Sequence, residues 1–323
     1  MSFVITCDKR GDIKMTVFTS TLNQTAFLFG FIIIGYILVK CKALPENAAT
    51  VLSKLENTVF LAALAMGTFI ENFTIERISS AWKLMAISFL IAFIVIPIAI
   101  LVSKIITKDK YIQKIYTYGL SFSNFGFMGN AVVSTLFPDV FFEYLIFTLP
   151  LWILIYLWGV PRLLIADSEK KQTFKENLKS FINPMFIAMI IGMLIGLSGI
   201  NLPKWTVSII DISGDCMSPI AMLLTGVVVA SYPLKVAFTN VRIYIISVIR
   251  LIVLPLAFIG VSYFIKMPET VFICALCSLQ MPLGLNTIVV PSAYGKDTSV
   301  AAGMAVISHL LAVITIPLIL AIV

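Results

Sequence analysis

Two short polar stretches inside very hydrophobic sequence carry the residue types that could do chemistry in this chain. They read "SFSNFGFMGNAVV", residues 121–133, and "QMPLGLNTIVVP", residues 280–291. Proline removes a backbone donor and glycine weakens a helix, so each stretch is predicted to interrupt its helix. The candidate substrate-binding residues are Ser123, Asn124, Gly126, Pro282, Gly284 and Asn286.

The chemistry that these stretches favour is the binding of an organic anion. The second half of an interrupted helix begins with free backbone N–H groups, and such an end carries about half a positive charge. Two such ends together suit one carboxylate. Asn124 and Asn286 would add neutral donors, which cost less to desolvate than Lys or Arg. A purely structural role, with amides and hydroxyls joining helices, is the alternative, and it is favoured for Asn130.

The elements that position these residues are predicted to be membrane-spanning helices. The 323 residues are 12% charged, against about 25% in soluble domains, and the mean hydropathy is +1.04. Hydrophobic runs of about 20 residues are long enough to cross a bilayer as helices. An all-α polytopic membrane protein is therefore predicted, with ten spans at 19–39, 47–70, 81–103, 115–137, 141–165, 183–199, 204–230, 241–265, 269–293 and 298–322.

The chain also repeats itself at an offset of 158 residues. The offset aligns Leu44 and Pro45 with Leu202 and Pro203, Pro97 with Pro255, Gly126 with Gly284, and Asp139 with Asp297. Residues 16–165 and 183–323 are thus predicted to be two five-helix repeats, with residues 166–182 as a loop between them. An odd number of spans inverts the second repeat, as in secondary transporters. Chance alignment of prolines and glycines is the alternative.

The repeats place the two interrupted helices, four and nine, at the same depth. Asn124 lies ten residues after Lys114 and Asn286 ten residues before Lys296, or about 15 Å of helix in each case. Helices four and nine are therefore expected to cross at mid-membrane.

The basic residues predict the orientation of the chain. The predicted loops of one side hold twice as many Lys and Arg residues as those of the other. The positive-inside rule then puts both termini outside the plasma (inner) membrane and loop 166–182 in the cytoplasm. The net charge of +7 is explained in this way, and nucleic acid is not expected as a partner. Translation could start at Met1 or at Met15.

Ionisable residues inside predicted spans are candidates for coupling or ion pairing, because burying a charge is costly. They are Glu56, Asp211, Asp215, Arg250 and His309. One interpretation of the acidic residues is a proton or sodium site. The other is ion pairs, in which Lys54 meets Glu56 and Arg250 meets Asp211 or Asp215. Arg250 could instead face a second substrate carboxylate, and His309 could relay protons or simply pack. Metal ligands are not predicted, since Cys274 and Cys277 have no second pair.

The stretch "SNFGFMGNAVV" and the C-terminal "MPLGLNTIVVPSAYGKD…AAGMAVISHLLAVITIPLIL" resemble the auxin efflux carrier family over essentially the whole chain. The resemblance implies a fold related to the bile-acid sodium symporters, with spans one, two, six and seven as a dimerising scaffold. Spans three to five and eight to ten would form a mobile transport domain. Asn124 matches the family asparagine that meets the substrate carboxylate, and Pro282 matches the proline at the span-nine crossover. Ser123 stands where plant members have proline, so a softer break is expected and auxin becomes a doubtful substrate.

Together these features predict a secondary transporter of small organic carboxylates, either auxin-like or dicarboxylates such as malonate or malate. It would work by alternating access in the plasma membrane, as a homodimer among lipids. An anion channel or a carboxylate receptor is the alternative. The chain has no GxxxxGK[ST] or HExxH motif, so neither an ATP-driven pump nor an enzyme is expected. No cofactor is predicted, while coupling to H+ or Na+ remains open.

Overall fold

The computed structural model describes residues 7–165, 182–231, 238–293 and 295–322, and its regular structure there is helical apart from one isolated β-bridge. The all-α prediction is therefore confirmed for this part of the chain. The predicted cytoplasmic loop lies almost entirely outside the described residues, as do the first six residues.

Twelve helices are distinguished in the described ranges. They are α1 (Cys7–Lys40), α2 (Ala48–Asn72), α3 (Ile75–Ile106), α4 (Lys110–Ser121), α5 (Phe125–Leu136), α6 (Pro138–Leu164), α7 (Pro184–Ser198), α8 (Lys204–Ala230), α9 (Val241–Ser262), α10 (Glu269–Gln280), α11 (Asn286–Ala293) and α12 (Ser299–Ile322). Six of them, α2, α3, α6, α8, α9 and α12, are long and apolar enough to cross a membrane by length and composition.

Helix ends follow local sequence signals. The Asp109 carboxylate accepts hydrogen bonds from the backbone N–H groups of Tyr111 and Ile112 at the start of α4. Asn183 caps α7 in the same way, ahead of a proline at the first helical position. Gly199, with φ of +65°, ends α7 in the left-handed conformation that glycine adopts without strain.

Four helices contain a π-type segment, at Glu56–Phe60 in α2, Phe125–Gly129 in α5, Ile155–Leu164 in α6 and Ile249–Val253 in α9. Such segments are rare and are frequent at functional sites. Two of them carry ionisable candidates, Glu56 and Arg250. A third begins directly after Asn124.

The helices pack into two groups, which an extensive contact of α1 with α12 joins. In the first group α1 lies along α8, and α2 lies against α7 and α8. The α1–α8 contact is close, because a Cβ at Gly226 would meet the Ile32 carbonyl and one at Gly35 would meet the Leu223 carbonyl. In the second group α3 packs on α4 and α6, while α9 packs on α10 and α12. Large apolar side chains cover the outer faces, for example Phe93, which is 64% exposed. An apolar exterior is what a lipid environment requires.

Candidate functional site

Both predicted helix interruptions are present. Helix α4 ends at Ser121 and α5 begins at Phe125, while α10 ends at Gln280 and α11 begins at Asn286. The connecting segments, residues 122–124 and 281–285, run past each other. We call this region the crossing. An antiparallel bridge joins Ser123 to Leu283, and the Asn124 N–H donates to the Pro282 carbonyl at 2.7 Å. The break at Ser123 is thus a short non-helical segment that pairs with residues 281–285.

A narrow cavity of about 20 Å³, room for about one water molecule, lies beside the crossing and is called here the crossing cavity. The first residues of both second half-helices border it, together with aromatic side chains of α4 and α6. Its lining residues are Tyr118, Ser123, Asn124, Phe125, Gly126, Phe127, Trp152, Ile155, Gly284, Leu285 and Asn286. The structure therefore brings together five of the six predicted binding residues. The sixth, Pro282, contributes its carbonyl to the crossing.

The crossing cavity borders a larger cavity of about 270 Å³, called here the vestibule. The two share Phe127, Trp152, Leu285 and Asn286. The vestibule is completed by residues of the first helix group: Ser53 and Asn57 from α2, and Leu224 and Val228 from α8. It thus lies between the two helix groups. This volume lies just below the range of about 300–1,000 Å³ that is typical of ligand pockets, so it suits only a small molecule.

Asn124 and the chain's only histidine are hydrogen-bonded to each other. Both are 2% exposed, and Asn124 Nδ2 lies 3.1 Å from His309 Nε2. His309 Nδ1 lies 2.7 Å from the Ala305 carbonyl oxygen, which can only accept. We therefore assign the proton to Nδ1, so Nε2 of the neutral ring accepts from the Asn124 amide. Two roles were considered for His309, packing and proton relay. In either role, its ring is hydrogen-bonded to Asn124.

The second amide, Asn286, donates from Nδ2 to the Tyr118 hydroxyl at 3.1 Å. Tyr118 is buried at the end of α4 and lines the crossing cavity. Tyr118 was not among the residues predicted from the sequence. The signal in the sequence is only its place six residues before Asn124, and its burial, with the last seven residues of α4, becomes visible in the structure.

Arg250 is almost fully buried, at 1% exposed, and its partners are backbone carbonyls. Nη1 donates to Leu120 O at 2.8 Å, Nη2 to Ser278 O at 2.9 Å and Nε to Met281 O at 3.4 Å. The expected ion pair with Asp211 or Asp215 is not formed, since both aspartates are exposed on α8. Arg250 also lines neither the crossing cavity nor the vestibule, but a small separate cavity. It therefore does not face the place expected for a second substrate carboxylate.

The acidic candidates lie outside the two cavities. Glu56 is 0% exposed, and neither of its carboxylate oxygens has a partner among the described residues. The pair with Lys54, one of the two interpretations of Glu56, is not formed, and Lys54 is exposed. Asp211 and Asp215 border a separate, open cavity of about 180 Å³ together with Glu71. The structure thus separates these residues from the crossing, although Ser53 and Asn57, on either side of Glu56 in α2, line the vestibule.

In the described residues, two interrupted helices meet beside a cavity, an arrangement typical of secondary transporters. A family model described as membrane transport protein, the domain of the auxin efflux carrier family, matches residues 20–320. The chain belongs to this family, and the resemblance is confirmed. It is accordingly a membrane transporter rather than a member of an enzyme family. No curated protein matches the chain.

Proposed function

We propose that this protein is a secondary carrier of small organic carboxylate anions, of the size of dicarboxylates such as malonate or malate. The observation that carries the proposal is that the first turns of α5 and α11, with Asn124 and Asn286, border one cavity. Each of these helix starts contributes about half a positive charge, and together they balance about one negative charge. The amides add directed hydrogen bonds to carboxylate oxygens.

The lining of the cavities supports a small anion with an apolar part. Among the lining residues of the crossing cavity and the vestibule there is no charged side chain. A bound carboxylate would therefore meet no acidic side chain among the described residues of the cavity walls. Phe127, Trp152 and Tyr156 offer aromatic walls to the rest of the substrate.

The proposed mechanism is alternating access between two bodies. In this proposal α1, α2, α7 and α8 form a scaffold that dimerises, and the remaining helices form the transport domain. Ten membrane spans in two inverted repeats would result, since α4 with α5 and α10 with α11 each make one interrupted span. The position of the vestibule between the two groups supports this division, because relative motion would open and close it. Both termini outside the plasma membrane complete the proposed topology.

Counterflow in proteoliposomes tests the proposal. Vesicles that contain the purified protein are loaded with an unlabelled acid, and uptake of the same labelled acid is followed. Malonate, malate, succinate and indole-3-acetate form the panel, with protein-free vesicles and Asn124→Ala protein as controls. A carrier gives a transient accumulation that depends on internal acid. Equal uptake by loaded and empty vesicles would indicate the channel alternative, and no uptake of any organic acid would contradict the proposal.

A further inference from the structure

Arg250 holds together the ends of the two first half-helices. Leu120 lies in the last turn of α4, Ser278 lies in the last turn of α10, and Met281 follows α10 directly. One guanidinium donates to the carbonyls of all three. The Leu120 and Ser278 carbonyls are among those that a helix end leaves without an intrahelical partner. A single side chain of α9 therefore satisfies backbone groups on both sides of the crossing.

The charges at this place balance without a carboxylate. A helix C-terminus carries about half a negative charge, so the ends of α4 and α10 together match the single positive charge of Arg250. In the described part of the chain no acidic side chain pairs with Arg250, whose hydrogen bonds all go to carbonyls. The two helix C-termini are thus its counter-charge.

In secondary transporters with interrupted helices, carbonyls and half-helix C-termini of this kind coordinate the coupling cation. In this protein the carbonyls at the ends of α4 and α10 are hydrogen-bonded to a cation that belongs to the chain itself, the Arg250 guanidinium. Beside Arg250 is a small cavity of about 20 Å³, bordered also by Ser88, Ser121, Ser123 and Ser278. The Ser88 and Ser121 hydroxyls are buried and have no partner in the described chain. The cavity is large enough for about one water molecule.

We propose that Arg250 is a built-in substitute for a dissociable coupling cation at the crossing. This inference rests on the proposed carrier function, and it assigns Arg250 a positioning role rather than a contact with substrate. With the guanidinium in place the crossing is held together in every state of the cycle, and Na+ is excluded from the site by charge and by occupancy. Substrate binding is then independent of Na+ at this site.

Removal of the side chain should convert the site into one for a free cation. In Arg250→Ala, three carbonyls and the neighbouring serine hydroxyls would surround the vacated space. The melting temperature of the purified variant is measured in choline chloride, in NaCl and in millimolar guanidinium chloride at constant ionic strength. Relative to choline, we expect guanidinium or Na+ to raise it by about 2–4 °C at about ten times the dissociation constant. Wild type and Arg242→Ala, which removes an exposed arginine of the same helix, should show no such shift.

This measurement does not use transport, so its failure is distinguishable from failure of the carrier proposal. An Arg250→Ala protein that melts at the same temperature in all three salts would overturn the inference. If the variant is recovered only when guanidinium or Na+ is present during purification, the inference is supported. If the variant is not recovered under any condition, counterflow by the wild-type protein is the deciding measurement. Its rates in Na+ and in choline should agree within about twofold. A strict requirement for Na+ would overturn the inference.

Discussion

Replacement of Asn124 by alanine should weaken substrate binding and leave the crossing in place. The hydrogen bond from Asn124 to Pro282 comes from the backbone N–H, which alanine retains. The side chain is what would be lost from the crossing cavity. A hydrogen bond to a charged group contributes about 1.5–3 kcal/mol. At 1.36 kcal/mol per factor of ten, substrate affinity should fall about 10- to 150-fold.

Stability should fall as well, but without loss of the fold. Truncation leaves His309 Nε2 without its present donor, and an unsatisfied buried acceptor costs about 1–3 kcal/mol. A water molecule that enters the enlarged cavity would reduce this cost. The melting temperature of the purified protein measures this part of the prediction.

The affinity is measured by a scintillation proximity assay with whichever labelled acid shows counterflow. Asn130→Ala is the matched control, because Asn130 is equally buried but donates to the Gly126 carbonyl and does not line either cavity. It should retain wild-type affinity. Unchanged affinity in Asn124→Ala, or an equal loss in both variants, would refute the reasoning.

The same contacts lead to three further expectations. His309→Phe leaves the Asn124 amide without an acceptor and should reduce affinity about 5- to 100-fold, whereas His309→Gln keeps an acceptor and should lose less. Gly126→Ala places a Cβ 2.6 Å from Trp152 Cζ2, so the indole is pushed aside and affinity should fall about tenfold at an overpacking cost of about 1–3 kcal/mol. Gly226→Ala forces α1 and α8 apart and should lower the free energy of unfolding by about 1–3 kcal/mol, read as a lower melting temperature.

Each of these variants has an internal comparison. Equal affinities of the two His309 variants would argue against hydrogen bonding as the reason for the loss. Trp152→Phe should recover part of the affinity lost in Gly126→Ala, because it removes the atoms that the new methyl group meets. Gly30→Ala on α1 has no neighbour within 4 Å of the new Cβ and should be as stable as wild type. A melting temperature lowered equally by Gly30→Ala and Gly226→Ala would contradict the packing argument.

The interruptions of the helices could be predicted because their signals are local. Pro282 and Gly284 disfavour a continuous helix at residues 281–285, and the polar composition of residues 121–130 indicates the same for its counterpart. The resemblance to the auxin efflux carrier family pointed to the same two places, and family membership is confirmed. All-helical structure followed from long hydrophobic runs.

The partners of the buried polar groups could not be predicted, because they depend on which helix faces meet. Asn124 and His309 are 185 residues apart, and Arg250 and Leu120 are 130 residues apart. The expectation that Arg250 needs an acidic partner was wrong for a physical reason: two helix C-termini supply the negative charge instead. A pair of Glu56 with Lys54 was one of two interpretations and is not formed, since a separation of two residues places them on different faces of a helix. The other interpretation, a proton or sodium site, stays a prediction.

The crossing also imposes an order on biosynthesis. Ser123 donates to the Ser278 carbonyl, 155 residues later in the chain, and Asn124 donates to Pro282. During translation the first polar segment therefore enters the membrane long before its partners leave the ribosome. Until then its hydrogen bonds must be met by water or by the insertion machinery, since lipid offers none. A nascent chain that stops before α10 would retain these exposed groups, which makes it a substrate for membrane quality control.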